Sequence, residues 1–242
     1  MKKRLLFTLS LAFGCLGVLK AQNYAPVALT GFTADVIANG PGSVASSTST
    51  DADGASFALV ALDYVSPSST SPTSALPNNG LITSQGTAGL TFQLAPYSAS
   101  NSLRIAGTGT GTLSLVNPEP ADQVAVLATS GSGTSTITIT VNFTDASSQT
   151  FSQTVNDWFN GSGFAVQGIS RVSRATNAIE NSTTNPRLYQ YLLNLSAANA
   201  GKTVQSVTFN KTSTGGVLNV LGISVRTVPS ALPIDAGVTS II

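Results

Sequence analysis

Thr134-Ser135-Thr136-Ile137-Thr138-Ile139-Thr140-Val141-Asn142-Phe143 carries apolar side chains at 137, 139, 141 and 143 with polar residues between them. Successive side chains of a strand point to opposite faces, so a period of two describes a strand with one buried and one wet face. Comparable runs lie at 56–65, 90–97, 111–116, 124–129, 149–155, 164–169, 188–195, 203–210 and 217–226. Turn chemistry separates most of them: Pro77-Asn78-Asn79-Gly80, Gly107-Thr108-Gly109-Thr110-Gly111, Ser130-Gly131-Ser132-Gly133 and Thr214-Gly215-Gly216. About ten short strands at this spacing predict an all-β chain, an antiparallel β-sandwich or jelly roll.

Helical signals are weak. Ser196-Ala197-Ala198-Asn199-Ala200-Gly201 suits one turn stopped by its glycine, and no longer segment keeps a helical period. The stretches 40–53 and 66–73 are rich in Ser, Thr, Pro and Gly and read as exposed loops.

The N-terminus has its own grammar. Met1-Lys2-Lys3-Arg4 is basic, Leu5 to Val18 is apolar, and Leu19-Lys20-Ala21 puts a small residue before Gln22. The apolar stretch is short for a bilayer core of ~30 Å, and the layout is that of a secretory signal peptide cleaved after Ala21. A lipoprotein reading at Cys15 is the rival, with Ala12 and Phe13 standing where that box wants other residues. The expected organisation is a signal peptide over 1–21, a β-sandwich domain over 22–227, and a linker with the start of a further domain over 228–242. In that last stretch, Val228-Pro229-Ser230-Ala231-Leu232-Pro233 reads as extended linker, and Ile234 to Ile242 restarts a strand pattern, the entry to a further domain or an edge strand folding back.

Composition then removes chemistries. Charged residues make up 9% of the 242, with no histidine and a single cysteine. Without imidazole there is no Ser-His-Asp or Cys-His nucleophile and no His-built metal centre. Four of the 11 Lys and Arg precede residue 22, leaving seven against 10 Asp and Glu. Seven scattered cations make no basic footprint, so nucleic acid and anionic membrane surfaces are not expected partners. Ser and Thr supply 60 of residues 22–242. An exported chain of that composition, thiol-free once Cys15 is removed, must be held by its core.

Few residues are placed to do chemistry. Asp157-Trp158 with Asn160 follows the hairpin built from Val141 to Phe151 and continued to Val155. The functional reading makes Trp158 a stacking platform for a pyranose ring, with Asp157 or Asn160 bonding hydroxyls. The competing reading has Asp157 close a bend while Trp158 fills the core. Arg171 and Arg174 are candidate polar anchors for a glycan, or rim charges. Tyr189 and Tyr191 share one strand face, with core packing as the plain reading. Asp51-Ala52-Asp53-Gly54 offers two carboxylates and a turn glycine to calcium, although an EF-hand fails because Ser49 and Val60 occupy its end positions.

The glycine run at 107–111 leads into a strand, so it lacks the helix N-terminus of a phosphate loop. Glu119, between two prolines, and Glu180 are the only glutamates for a two-carboxylate glycosidase, the least favoured option.

The Val141–Phe151 hairpin and the Asp157-Trp158 corner resemble those of galactose-binding-like β-sandwich modules appended to secreted bacterial glycosidases. With Leu29 to Ala38, Ala75-Leu76-Pro77, Leu94-Ala95-Pro96-Tyr97, Asn101 to Leu103 and Gly168-Ile169-Ser170-Arg171, the chain resembles an N-terminal module of exported Bacteroidetes surface proteins. Longer members of that group carry Ig-like repeats and a type IX secretion sorting domain. Ala146 stands where the usual hairpin has glycine, and no sorting domain appears in this sequence.

The resemblance implies an adhesive or glycan-binding β-sandwich and supplies no catalytic residues. The functional expectation is a secreted or cell-surface non-catalytic module binding carbohydrate or another extracellular polymer. A purely structural spacer of a larger adhesin is the alternative. No cofactor is expected beyond calcium at Asp51 and Asp53.

Overall fold

The computed structural model describes residues 23–227. The signal peptide expected over 1–21, the lipoprotein reading at Cys15 and the tail expected over 228–242 lie outside the described residues. In chain order the strands are β1 (Tyr24–Pro26), β2 (Leu29–Thr30), β3 (Ile37–Ala38), β4 (Phe57–Val60), β5 (Leu81–Thr83), β6 (Thr91–Gln93), β7 (Leu103–Ile105), β8 (Gly109–Pro120) and β9 (Gln123–Gly131). They continue as β10 (Ser135–Phe143), β11 (Ser148–Val155), β12 (Phe164–Gln167), β13 (Arg171–Ser173), β14 (Ile179–Glu180), β15 (Arg187–Asn194), β16 (Thr203–Lys211) and β17 (Val217–Arg226). One short helix, α1 (Val44–Ser47), lies between β3 and β4.

The architecture is an antiparallel β-sandwich with a third layer. An outer sheet runs β11-β10-β16-β8-β2. An inner sheet runs β1-β17-β9-β15-β12, with β7 on the free flank of β17. Between them Ile137, Ile139, Val141 and Phe143 of β10, with Val207 and Phe209 of β16 and Leu113 and Leu115 of β8, pack against Val124, Val126 and Ala128 of β9. The period of two in β10 is thus the one-sided burial that alternation dictates.

The inner sheet is apolar on both faces. Ala125 and Leu127, the alternate residues of β9, enter a second core with Leu59, Leu76, Ile82, Leu90, Phe92 and Trp158. β17 does the same through a register shift between Val220 and Gly222. Leu218, Val220, Ile223 and Val225 face the outer sheet while Leu221 turns into the second core. One extra residue in a strand does this, since it reverses the parity of everything after it.

The covering layer is built from residues 31–101 and 168–186, with β4 at the centre of a small sheet ordered β14-β13-β4-β3. Part of it departs from the sequence expectation. The stretch 40–53 is not an exposed loop: it contains α1, and Val44, Ala52 and Asp53 are buried. Ser43 caps α1 by accepting a hydrogen bond from Ser46 N, and the Val44 side chain packs with Val60, Tyr64 and Val172. Ser66 is likewise buried, while 67–71 are exposed as expected.

The β10–β11 hairpin shows how the chain manages without its usual glycine. Phe143 N donates to Ser147 O, Asp145 Oδ1 accepts from Ser147 N, and Ala146 sits at φ 65°. An L-residue in that region costs roughly 1–2 kcal/mol, whereas glycine at the same place gives back about 0.4–1 kcal/mol through the unfolded chain. Ala146→Gly is therefore expected to stabilise the protein, raising the melting temperature by about 1–4 °C in a thermal scan. A fall would show that the turn is not under this strain.

Candidate functional site

The Asn156–Gly161 corner is fixed by the strands beside it. Ser130 N donates to Asn156 O and Trp158 N to Ser130 O, which carries the corner across the end of β9. From β15, the Tyr189 hydroxyl donates to Asp157 O at 2.5 Å and accepts from Gly161 N at 3.0 Å, and the Tyr191 hydroxyl accepts from Asn156 N. The shared face of Tyr189 and Tyr191 thus holds the corner in place.

Asp157 closes the bend. Its Oδ2 accepts from Gly133 N at 2.5 Å and its Oδ1 from Phe159 N at 2.9 Å. Trp158 is 2% exposed and packs in the second core with Leu127, Ala165 and Leu188. Its ring has no open face for a sugar, because filling that core removes the ring from solvent. The exposed aromatic edge at the corner belongs instead to half-buried Phe159, 6.0 Å from Trp158 in an edge-on arrangement.

Arg171 converts the corner into a site. Its guanidinium carbon lies 3.8 Å from the Phe57 ring centroid, 4.8 Å from that of Phe159 and 5.6 Å from that of Trp158, all within cation–π range. The sheet register explains the pairing with Phe57. Ser173 of β13 stands opposite Phe57 of β4, so Arg171, two residues on, is its diagonal neighbour on the same face. Directly opposite Arg171 is Glu180, whose Oε2 accepts from Arg171 Nε at 2.8 Å.

These groups line an open depression of about 280 Å³ with Asp53, Ala55, Ser132 and Asp157. Asp53 Oδ1 accepts from Ala55 N at 2.8 Å and Phe57 N at 3.0 Å. Burial raises its pKa above the usual carboxylate value, and the bonds from Phe57 and Ala55 oppose that shift. Gly131 makes this packing possible, since a Cβ there would stand 2.5 Å from Asp53 Cα. The structure therefore gathers Asp53, Asp157, Trp158 and Arg171, which are scattered in sequence, around one concavity.

The remaining candidates lie elsewhere or are engaged. Asn160 exchanges two hydrogen bonds with Asn185. Arg174 donates to Thr48 Oγ1 and Thr48 O just beyond α1, a structural cap. Asp51 is ion-paired with Arg104 at 2.6 Å and accepts from Gly54 N and Ser56 N. The calcium expectation does not fit this donor set. Asp51 and Asp53 act as turn acceptors, a hard cation needs six to eight oxygens, and no group of three or more acidic, His or Cys side chains gathers among the described residues.

Sequence reasoning missed Phe57 and Ser132. Phe57 opens a strand whose next three residues are all buried, so its pattern carries no sign that this one ring reaches the surface.

No family model matches the chain, and no curated protein matches it. Among solved structures, a mutant of the family 29 carbohydrate binding module CBM29-2 aligns at TM-score 0.31 and 11% identity, covering 62% of this chain and 83% of that one. The exo-β-1,3-galactanase of Phanerochaete chrysosporium with galactose aligns at TM-score 0.29 and 16% identity, over 60% of this chain and 25% of that one. The tailspike protein 4 enzymatically active domain of bacteriophage CBA120 aligns at 0.29 and 15%, over 52% and 16%. At these scores the likeness carries no functional argument.

Removing the Asp157 carboxylate strands two backbone donors at the corner. Asp157→Ala is expected to cost about 2–3 kcal/mol, read as a lower denaturant midpoint with an unchanged slope. An unchanged midpoint would mean that Asp157 does not close the bend.

Proposed function

We propose that this chain is an exported, non-catalytic binding module that takes a carbohydrate or related extracellular polymer in the Arg171 depression. The observation that carries the reading is the guanidinium set against Phe57 and Phe159 beside Asp53 and Ser132. An aromatic and guanidinium wall offers apolar contact to the C–H face of a sugar ring. The exposed Ser132 hydroxyl at the rim offers a hydrogen-bonding partner to its hydroxyls, the mix of apolar wall and few polar groups typical of small ligand sites. The resemblance to galactose-binding-like modules and the secretory layout of residues 1–21 support the same reading.

The arrangement favours binding over hydrolysis. Both Asp157 oxygens accept backbone N–H bonds, and Asp53 Oδ1 accepts two more. Glu180 is held by Arg171, and Glu119 lies on β8 in the outer sheet, which separates the two glutamates by sheet.

A glycan array followed by calorimetry tests the proposal. Binding is expected for the unaltered protein, and Arg171→Ala and Phe159→Ala are each expected to abolish it. Arg171→Ala gives up one half-exposed ion pair and the ring contacts, together about 1–2 kcal/mol, so the fold should persist. Binding that survives both substitutions would place the ligand elsewhere. No binding by the unaltered protein would favour the structural spacer.

A further inference from the structure

Among the described residues, β11 is the one strand at a sheet end that carries no protection against pairing. Strands β1, β2, β3, β5, β6, β7, β12 and β14 also lie at the ends or flanks of sheets, and none of them exceeds four residues. β1 ends at Pro26, β7 contains Arg104, β12 has a register shift between Phe164 and Val166, and β14 contains Glu180. Short length, proline, charge and irregularity are the devices that keep an exposed edge from accepting a strand of another chain. β11 has none of them. Its eight residues, Ser148–Val155, include no charge and no proline and pair with β10 in unbroken register from Asn142↔Ser148 to Ser135↔Val155. The outer sheet ends there, so the second row of β11 backbone donors and acceptors has no strand beside it among the described residues.

The sequence of this edge is symmetric about Phe151. Thr150 and Ser152 flank it, then Gln149 and Gln153, then Ser148 and Thr154. Two copies laid antiparallel about a twofold axis at Phe151 therefore set hydroxyl against hydroxyl, amide against amide and ring against ring. The faces agree as well. Ser148, Thr150, Ser152 and Thr154 are exposed, while Gln149, Phe151 and Gln153 are half-buried on the core side, where Phe151 rims the first core at its open edge.

We propose that β11 pairs with β11 of a second copy of this chain, joining two outer sheets into one across a twofold axis. An unrelated strand could satisfy the backbone, but a copy also returns the same class of side chain at each position counted from Phe151. No like-charge pair opposes the contact, because the strand has no charge. Each Phe151 ring meets its counterpart, which removes a half-exposed aromatic surface from water. Assembly also closes at two. An isologous contact consumes both β11 edges, and the opposite end of the outer sheet, β2, is two residues long. The pairing uses no residue of the Arg171 depression, so it stands or falls apart from the ligand bound there.

Sedimentation equilibrium of the purified protein over a concentration series tests the proposal, and the unaltered protein is expected to dimerise reversibly. Thr150 of one copy faces Ser152 of the other, so Thr150→Lys/Ser152→Lys and Thr150→Glu/Ser152→Glu each set like charges against one another. Each double variant is expected to weaken the dimer by about tenfold or more. Both positions are exposed, so the melting temperature of the monomer should barely move. An equimolar mixture of the two variants is expected to recover the dimer, which a local folding defect cannot produce. Should the Lys variant fail to fold, Thr150→Glu/Ser152→Glu decides, with Ser68→Lys in the exposed 67–71 loop expected to dimerise as the unaltered protein does. An unaltered protein that stays monomeric at every concentration overturns the proposal. So does a dimer that both double variants retain, or a mixture of folded variants that stays monomeric.

Discussion

β9 and β17 lie side by side in the inner sheet with apolar side chains on both faces, and the other layers exist because those faces must be covered. A sheet with one dry face needs one partner. This one needs two, and the chain supplies partners of opposite kind: a regular sheet on one side and a loop-rich layer on the other. The second solution brings a difficulty, since irregular backbone carries donors and acceptors that no ladder satisfies.

The polar residues set into the inner sheet answer that difficulty. Asn219 Nδ2 donates to Ala52 O at 2.7 Å while its Oδ1 accepts from Ser102 Oγ at 3.0 Å. The Ser224 hydroxyl donates to Thr91 O, and Thr129 Oγ1 to Arg187 O. In the covering layer Asn101 Oδ1 accepts from the buried Val36 N. Asn219 and Ser224 look like flaws in an apolar strand, yet each meets a carbonyl of the covering layer, Ala52 O or Thr91 O. Exchanging them for valine would improve the apolar count and leave the covering layer with unpaired groups.

Legibility in the sequence follows the same division. β10 declares itself because one face is wet, and its alternation from Thr136 to Phe143 gave both strand and register parity. The Val124–Ala128 and Val217–Val225 runs mark strands too, and their near-continuous apolar character is the sign of burial on both faces, which a two-sheet expectation leaves unused. The covering layer was illegible, since Gly40 to Asp53 has loop composition and only tertiary contacts bury Val44, Ala52 and Asp53. At the candidate site the Asp157-Trp158 corner could be read from turn chemistry. The depression could not, because it depends on the diagonal placement of Arg171 and Phe57 across β13 and β4, a pairing between residues more than a hundred positions apart.

Charge is scarce in this chain. Among the described residues, each of the seven cations already has a partner. Arg104, Arg171, Lys202 and Arg226 are ion-paired, Arg174 and Arg187 bond to hydroxyl or carbonyl oxygens, and Lys211, 1% exposed, donates to Ser213 O and Gly215 O. Burial lowers the Lys211 pKa, and its amine closes a turn out of a partner's reach. Of these cations, Arg171 faces the depression lined by Phe57, Phe159 and Ser132. The wet face of the outer sheet likewise carries neutral Ser, Thr and Asn side chains. The Ser and Thr residues that give the chain its composition are the side chains that keep a wet sheet face soluble without charge, and cross-strand register arranges them in two-dimensional order.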